Sequence, residues 1–187
     1  MPETMTPRGE AMSLLATLLE YPRASFFDDL DQAAERLEKS SPHAASKVRD
    51  FSSRLADCSV SDLEELFTRT FDMAPILCPY VTAHIYGDEN FDRGRLMSAL
   101  SSKFEEKGFS PGNELPDHLA VILRFAPYLS SEELTELNDY CLRQPLAEMH
   151  RTLSDAGSPY AHVLEAIQSV IDQKRVVRER QKGDGDA

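Results

Sequence analysis

Apolar residues recur along most of this chain at intervals of three and four, the spacing that places them on one face of an α-helix. Leu14, Leu15, Leu18 and Leu19 form the first such stripe, in a helix expected over Gly9 to Glu20 and stopped by Pro22. A second helix, begun at Ser25 or Asp28, carries Phe26, Phe27, Leu30, Ala34 and Leu37 on one side. Pro42 opens a third, with Val48, Phe51 and Leu55. Ser61 followed by Glu64 reads as a capping box ahead of Leu66 and Phe67. Period-two alternation bounded by turn residues never exceeds four residues, so no strand is expected.

The middle of the chain continues in the same period. A helix is expected from about Pro79 to Tyr86 and stops at Gly87-Asp88; the next runs from Asp92 to Lys107. After a loop over Gly108 to Asn113, a helix from Pro116 to Phe125 carries Leu119, Ile122 and Leu123. Ser130 or Ser131 with Glu133 restarts the pattern after Pro127, Pro145 opens a further helix, and Gly157 ends it. The last helix follows Ser158-Pro159 and holds Tyr160, Val163, Leu164, Ile167, Val170 and Ile171 at helical spacing. The pattern fades after Arg175. The fold class predicted is all-α: one globular domain of about ten helices over residues 1–175, with a basic, frayed tail over 176–187.

Composition narrows the function classes. The 187 residues suffice for one domain with a full core, and 41% apolar content argues against wholesale disorder. The net charge is −12. The last sixteen positions hold five of the 20 bases and four of the 32 acids, which leaves 15 bases against 28 acids in the body. Such a body repels phosphate backbones and attracts cationic partners, so no nucleic-acid partner is expected. The opening MPETMTPRGE is polar, and no stretch approaches the roughly 20 apolar residues of a membrane span, so neither a targeting segment nor membrane insertion is expected. Cys58, Cys78 and Cys141 are odd in number and widely spaced, as befits reduced thiols in a cytoplasmic protein.

Candidate chemistry is sparse. Gly108-Phe109-Ser110-Pro111-Gly112 has the letters of a G-x-S-x-G nucleophile elbow, but a charged helix stands where the strand should be. Pro111 also lacks the N–H that an oxyanion would need. The five histidines show no metal-ligand spacing, and there is no phosphate-cradling glycine loop; no metal or other cofactor is expected. His84 falls on an apolar stripe and reads as a core or groove-wall histidine. Asp117-His118 stays open: Asp117 at the first turn of a helix suits an ordinary cap, while the adjacent imidazole suits a site, including that of a small hydrolase or lyase.

Phe71-Asp72, the stretch Tyr80-Val81-Thr82-Ala83-His84-Ile85-Tyr86-Gly87-Asp88, Arg93-Gly94 with Leu96, and Glu114-Leu115-Pro116-Asp117-His118-Leu119 with Val121, Leu123 and Phe125 are one ordered set. Together they resemble the NarJ branch of the redox-enzyme maturation chaperones (the TorD/DmsD/NarJ group), densely over about sixty residues. Ala83 and His84 stand where that pattern has two tyrosines, Ala120 where it has proline, and Arg124 where it has glutamate. The resemblance implies an all-helical cytoplasmic chaperone, monomer or homodimer, and not an enzyme. It would bind the N-terminal segment (a twin-arginine signal or its vestige) of a molybdopterin-containing oxidoreductase catalytic subunit until the cofactor is inserted. The client implied is nitrate reductase-like, or else another enzyme of that superfamily, such as one acting on selenate, perchlorate or dimethyl sulfide. The peptide-binding residues it implies are Tyr80, His84, Tyr86, Asp88, Pro116, Asp117, His118 and Leu123. Of these, Tyr80, His84, Tyr86 and Leu123 would line an apolar groove, and Asp88 and Asp117 an acidic rim.

Overall fold

The computed structural model describes residues 6–87 and 90–183, with side chains as far as Gln173. Ten α-helices occur among the described residues, and no strand does. Helix α1 (Pro7–Ala16) begins at Thr6, whose hydroxyl accepts the N–H of Gly9 at 3.0 Å, with Pro7 in the first turn. Its last turn tightens into a 3₁₀ turn, Thr17–Leu19. Helices α2 (Phe26–Ser40) and α3 (Pro42–Arg54) form a hairpin with only Ser41 between them, and Pro42 opens α3 as expected. Then come α4 (Val60–Phe67), α5 (Val81–Tyr86), α6 (Phe91–Lys107) and α7 (Leu119–Phe125). Gly108 closes α6 in the left-handed region at φ 68°, a conformation that glycine adopts without strain. Helices α8 (Ser131–Leu137) and α9 (Arg143–Asp155) follow, and α10 (Tyr160–Gly183) ends the set.

Several local signals act where the sequence placed them. Ser130 and Glu133 close a reciprocal capping box on α8. The box at α4 is formed two residues earlier than expected: Ser59 and Asp62 make it, and Ser61 is left exposed in the first turn. Aspartate at this position reaches the N-cap N–H at 2.8 Å, so Glu64 is not needed. Pro145 lies in the first turn of α9, which starts at Arg143. Helix α10 continues to Gly183, beyond the boundary expected near Arg175, because the residues that follow are mostly good helix formers that need no apolar stripe to stay helical.

Two π turns interrupt the regular pattern. Thr68–Asp72 extends α4, and Asn138–Leu142 joins α8 to α9. Each adds one residue to a turn and so redirects the side chains beyond it.

Helix α1 is the hub. It packs against α2, α7 and α10 and against the 3₁₀ turn Ala126–Tyr128, while α3 is held between α2 and α10. The core runs without a break through all of these, and its largest buried side chain is Tyr160, ringed by Phe51, Phe67 and Phe71. Gly9 allows α1 its closest approach: a Cβ there would stand 2.9 Å from the carbonyl oxygen of Ala126. Gly9→Ala must push α1 away from that backbone, and a loss of about 1–3 kcal/mol is expected, as for other overpacked sites. Urea denaturation measures it; an unchanged midpoint would mean that α1 has room to move.

Candidate functional site

Two segments distant in sequence meet at the centre of the candidate site. The N–H of Val81 donates to the carbonyl of Asp117 and the N–H of Leu119 donates to that of Pro79, both at 2.9 Å. Tyr80 and His118 thereby form a single antiparallel bridge. This pairing explains why α5 and α7 start later than Pro79 and Pro116 suggest. Pro116 occupies the second position of a tight turn, closed by the N–H of His118 on the carbonyl of Leu115 at 3.1 Å. That is a position proline favours. Tyr80 and His118 stay extended, with ψ of 113° and 131°, and helix begins only after each of them.

The placement of Asp117 corrects the sequence reading. It lies before the N-cap of α7 and not in its first turn, and it is wholly buried. Thr82, also buried, donates its hydroxyl to Asp117 Oδ2, and Arg93 Nη2 stands 3.8 Å from the same oxygen. Arg93 Nε donates to Thr82 Oγ1 at 3.0 Å, so carboxylate, hydroxyl and guanidinium close on one another. The arginine that Asp117 meets is thus this chain's own. Its charge seats the loop against α5 and α6 and has no surface to offer as a rim. Leu123, wholly buried on the inner face of α7, belongs to the core and lines no groove.

His118, not Pro116, starts the helix. Its Nδ1 accepts the N–H of Ala120 at 3.2 Å, which leaves the ring proton on Nε2. The ring stands edge-on to Tyr80, with centroids 5.4 Å apart. The Tyr80 hydroxyl donates to Glu114 Oε1 at 3.1 Å, and that oxygen also accepts the N–H of Leu115. Burial pulls His118 below the ordinary imidazole range and outweighs the nearby charges of Glu114 and Asp117. Burial, with Glu114 next, pushes the Tyr80 phenol up.

Tyr80 and His118 open onto a groove of about 550 Å³. Five segments wall it: Leu19 to Arg23 after the first 3₁₀ turn, Phe67 to Asp72 at the end of α4, the Pro79-Tyr80 corner, the Pro111 to Glu114 loop, and the first turns of α7 as far as Arg124. Tyr21 is 54% exposed and packs its edge on Phe67, which with Phe71 rests on the buried ring of Tyr160. The side chains are aromatic and apolar on one part, with Glu20, Asp72 and Glu114 as acids and Arg23 and Arg124 as bases. No serine, threonine or cysteine lines the wall. The wall thus offers His118 no serine, threonine or cysteine, and Asp117 is engaged by Thr82 and Arg93, so a Ser-His-Asp or Cys-His-Asp arrangement is not assembled among the described residues.

His84, Tyr86 and Pro116 lie apart from this groove. His84 is a half-buried histidine, its Nε2 2.9 Å from the carbonyl of Cys78 and its Nδ1 3.8 Å from Glu148 on α9. Tyr86 and Pro116 are half-buried outside the wall, and Asp88 lies outside the described residues. Sequence reading missed Tyr21, Phe67, Glu20 and Arg23 as groove residues. Only Tyr21, an aromatic off the α1 stripe and next to Pro22, gave any local sign. Among the described residues no group of acids, histidines and cysteines is placed to hold a metal ion, and no helix is long and apolar enough to cross a membrane.

Comparison with known proteins agrees with the resemblance read from the sequence. The family model described as nitrate reductase delta subunit matches residues 24–166, and the chain belongs to that family. It is 29% identical over 169 residues to the probable nitrate reductase molybdenum cofactor assembly chaperone NarJ of Bacillus subtilis, covering 89% of this chain and 91% of that protein. It is 27% identical over 175 residues to the NarJ chaperone of Escherichia coli K12, covering 87% and 72%. A nitrate reductase-like protein NarX of Mycobacterium tuberculosis H37Rv is 30% identical over 154 residues, which are 81% of this chain but 23% of that longer protein.

Two outcomes follow from this geometry. Asp117→Asn keeps the shape but removes the charge facing Arg93, and a loss of roughly 1.5–3 kcal/mol in folding stability is expected, as for a hydrogen bond to a charged group. Unchanged stability on urea denaturation would mean that the buried carboxylate is not what seats the loop. The second concerns pH. Unfolded His118 titrates near 6.5 and the folded ring lower, so the unfolded state takes up protons first. Its contribution to stability is complete above that pH and declines as pH falls from 6.5 towards the folded value. His118→Gln should flatten this part of the stability profile, read by thermal melts between pH 7 and 5; an identical slope would assign it to other groups.

Proposed function

We propose that this chain is a maturation chaperone for the catalytic subunit of a molybdopterin-containing oxidoreductase, with a nitrate reductase-like client, acting in the cytoplasm and catalysing no reaction of its own. It binds the N-terminal segment of that subunit in the groove beside Tyr80 and His118 and holds the subunit until its cofactor is inserted. The observation that carries this reading is the groove: aromatic and apolar along one part, acidic at Glu20, Asp72 and Glu114, and lined by no serine, threonine or cysteine. A segment with basic residues followed by an apolar run matches such a wall by charge and by burial, and an amphipathic helix is the form in which it fits. The names of the relatives, which are assembly chaperones for nitrate reductase, support the choice of client.

A peptide of that design should bind more weakly as salt rises, because exposed charge pairs are screened over about 8–10 Å at physiological ionic strength. Tyr80→Ala should weaken it roughly tenfold, the usual scale for loss of an aromatic anchor. Calorimetry at low and high salt tests both. Affinity indifferent to salt and to Tyr80 would move the segment elsewhere on the surface.

A further inference from the structure

The acids of the groove are not equivalent. Asp72 is exposed, and Glu114 holds the Tyr80 hydroxyl. Glu20 stands between two guanidinium groups of the same chain: Arg124 Nε is 3.5 Å from its Oε1, and Arg23 Nη2 is 3.9 Å from its Oε2. Both arginines line the groove too, so a cationic ligand finds Glu20 already matched. The match is a poor one. Arg124 Nε is buried and makes no hydrogen bond, and its Nη2 donates to the carbonyl of Pro111 at 3.0 Å instead. The resident pair is single-pronged and long, where an arginine and a carboxylate can form two parallel bonds at about 2.7–2.9 Å.

Building on the docking reading above, we propose that Arg124 is a specificity-determining residue, a resident competitor that holds Glu20 until a ligand arginine takes its place. A ligand guanidinium that approaches Glu20 as a fork forms both bonds and frees Arg124 towards Pro111 and solvent. A segment without such an arginine leaves the resident pair intact and gains nothing from Glu20. Position 124 therefore sets a threshold on the charge of the client segment.

The test uses two synthetic peptides, one with arginines ahead of an apolar run and one with those arginines replaced by glutamine. Each is titrated by calorimetry into the full chain. Arg124→Gln is expected to bind the arginine peptide roughly two- to fivefold more tightly than wild type, the span of a half-exposed ion pair. The glutamine peptide should bind unchanged, and Glu20→Gln in the same background should abolish the gain. Arg124→Met, neutral and of similar reach, should repeat the gain, which guards against a folding defect in one variant. Wild-type binding of the arginine peptide with no gain in either variant overturns the proposal alone, as does an equal gain for both peptides. No binding of either peptide to wild type or variants overturns the docking reading along with it.

Discussion

The candidate site depends on a buried carboxylate. Asp117 sits in a turn that two backbone hydrogen bonds fasten to the Pro79–Val81 corner, and its side chain is answered from within by Thr82 and Arg93. A carboxylate with no exposed surface is costly unless it is paired, so the charge fixes how α5, α6 and the start of α7 sit together. With that set, Tyr80 and His118 meet edge to face at the mouth of the groove.

Behind the groove lies an aromatic stack that belongs to both surface and core. Phe67 and Phe71 line the groove and lean on Tyr160, which in turn meets Phe51 at 5.0 Å. Phe51 lies on α3, held between α2 and α10. The groove wall is thus an outward face of the main core and not an appended loop. Rigid walls of this kind reduce what a ligand must order on binding, which favours affinity for a flexible segment.

How much of this was legible in the sequence divides along the distance between the residues involved. Pro42, the stop of α6 before Gly108 and the helix start at Ser130 or Ser131 with Glu133 depend on neighbours a few positions away; the sequence placed all three, and the structure chooses Ser130. Pro79 and Pro116 were read as helix starts because nothing local reveals that their segments pair, with Tyr80 opposite His118. Asp117 looked like a cap for the same reason: its partners Thr82 and Arg93 are remote in sequence. The groove was half legible. Tyr80 and His118 lie in the dense motifs, whereas Glu20, Tyr21 and Phe67 join them only through the fold, Tyr21 by its ring contact with Phe67. The family, by contrast, was carried by ordered motifs that no single helix had to explain, and the match over residues 24–166 agrees with it.

The π turn at Thr68–Asp72 bears on how the length of this chain can change. A π turn is a helix with one residue too many, kept because the surplus points side chains where a regular helix would not. Loss of one residue here would let α4 run on as ordinary helix, and backbone hydrogen bonding would improve. A residue lost between Phe67 and Phe71 would bring the two rings to a spacing of three, which an ordinary helix still keeps on one face. What would change is the seat of the Arg69 and Thr70 carbonyls, which accept the N–H groups of Ile76 and Leu77 and so fasten the segment that leads to Pro79. Here the surplus residue matters less to the side on which the aromatic rings stand than to where the following segment is tied down.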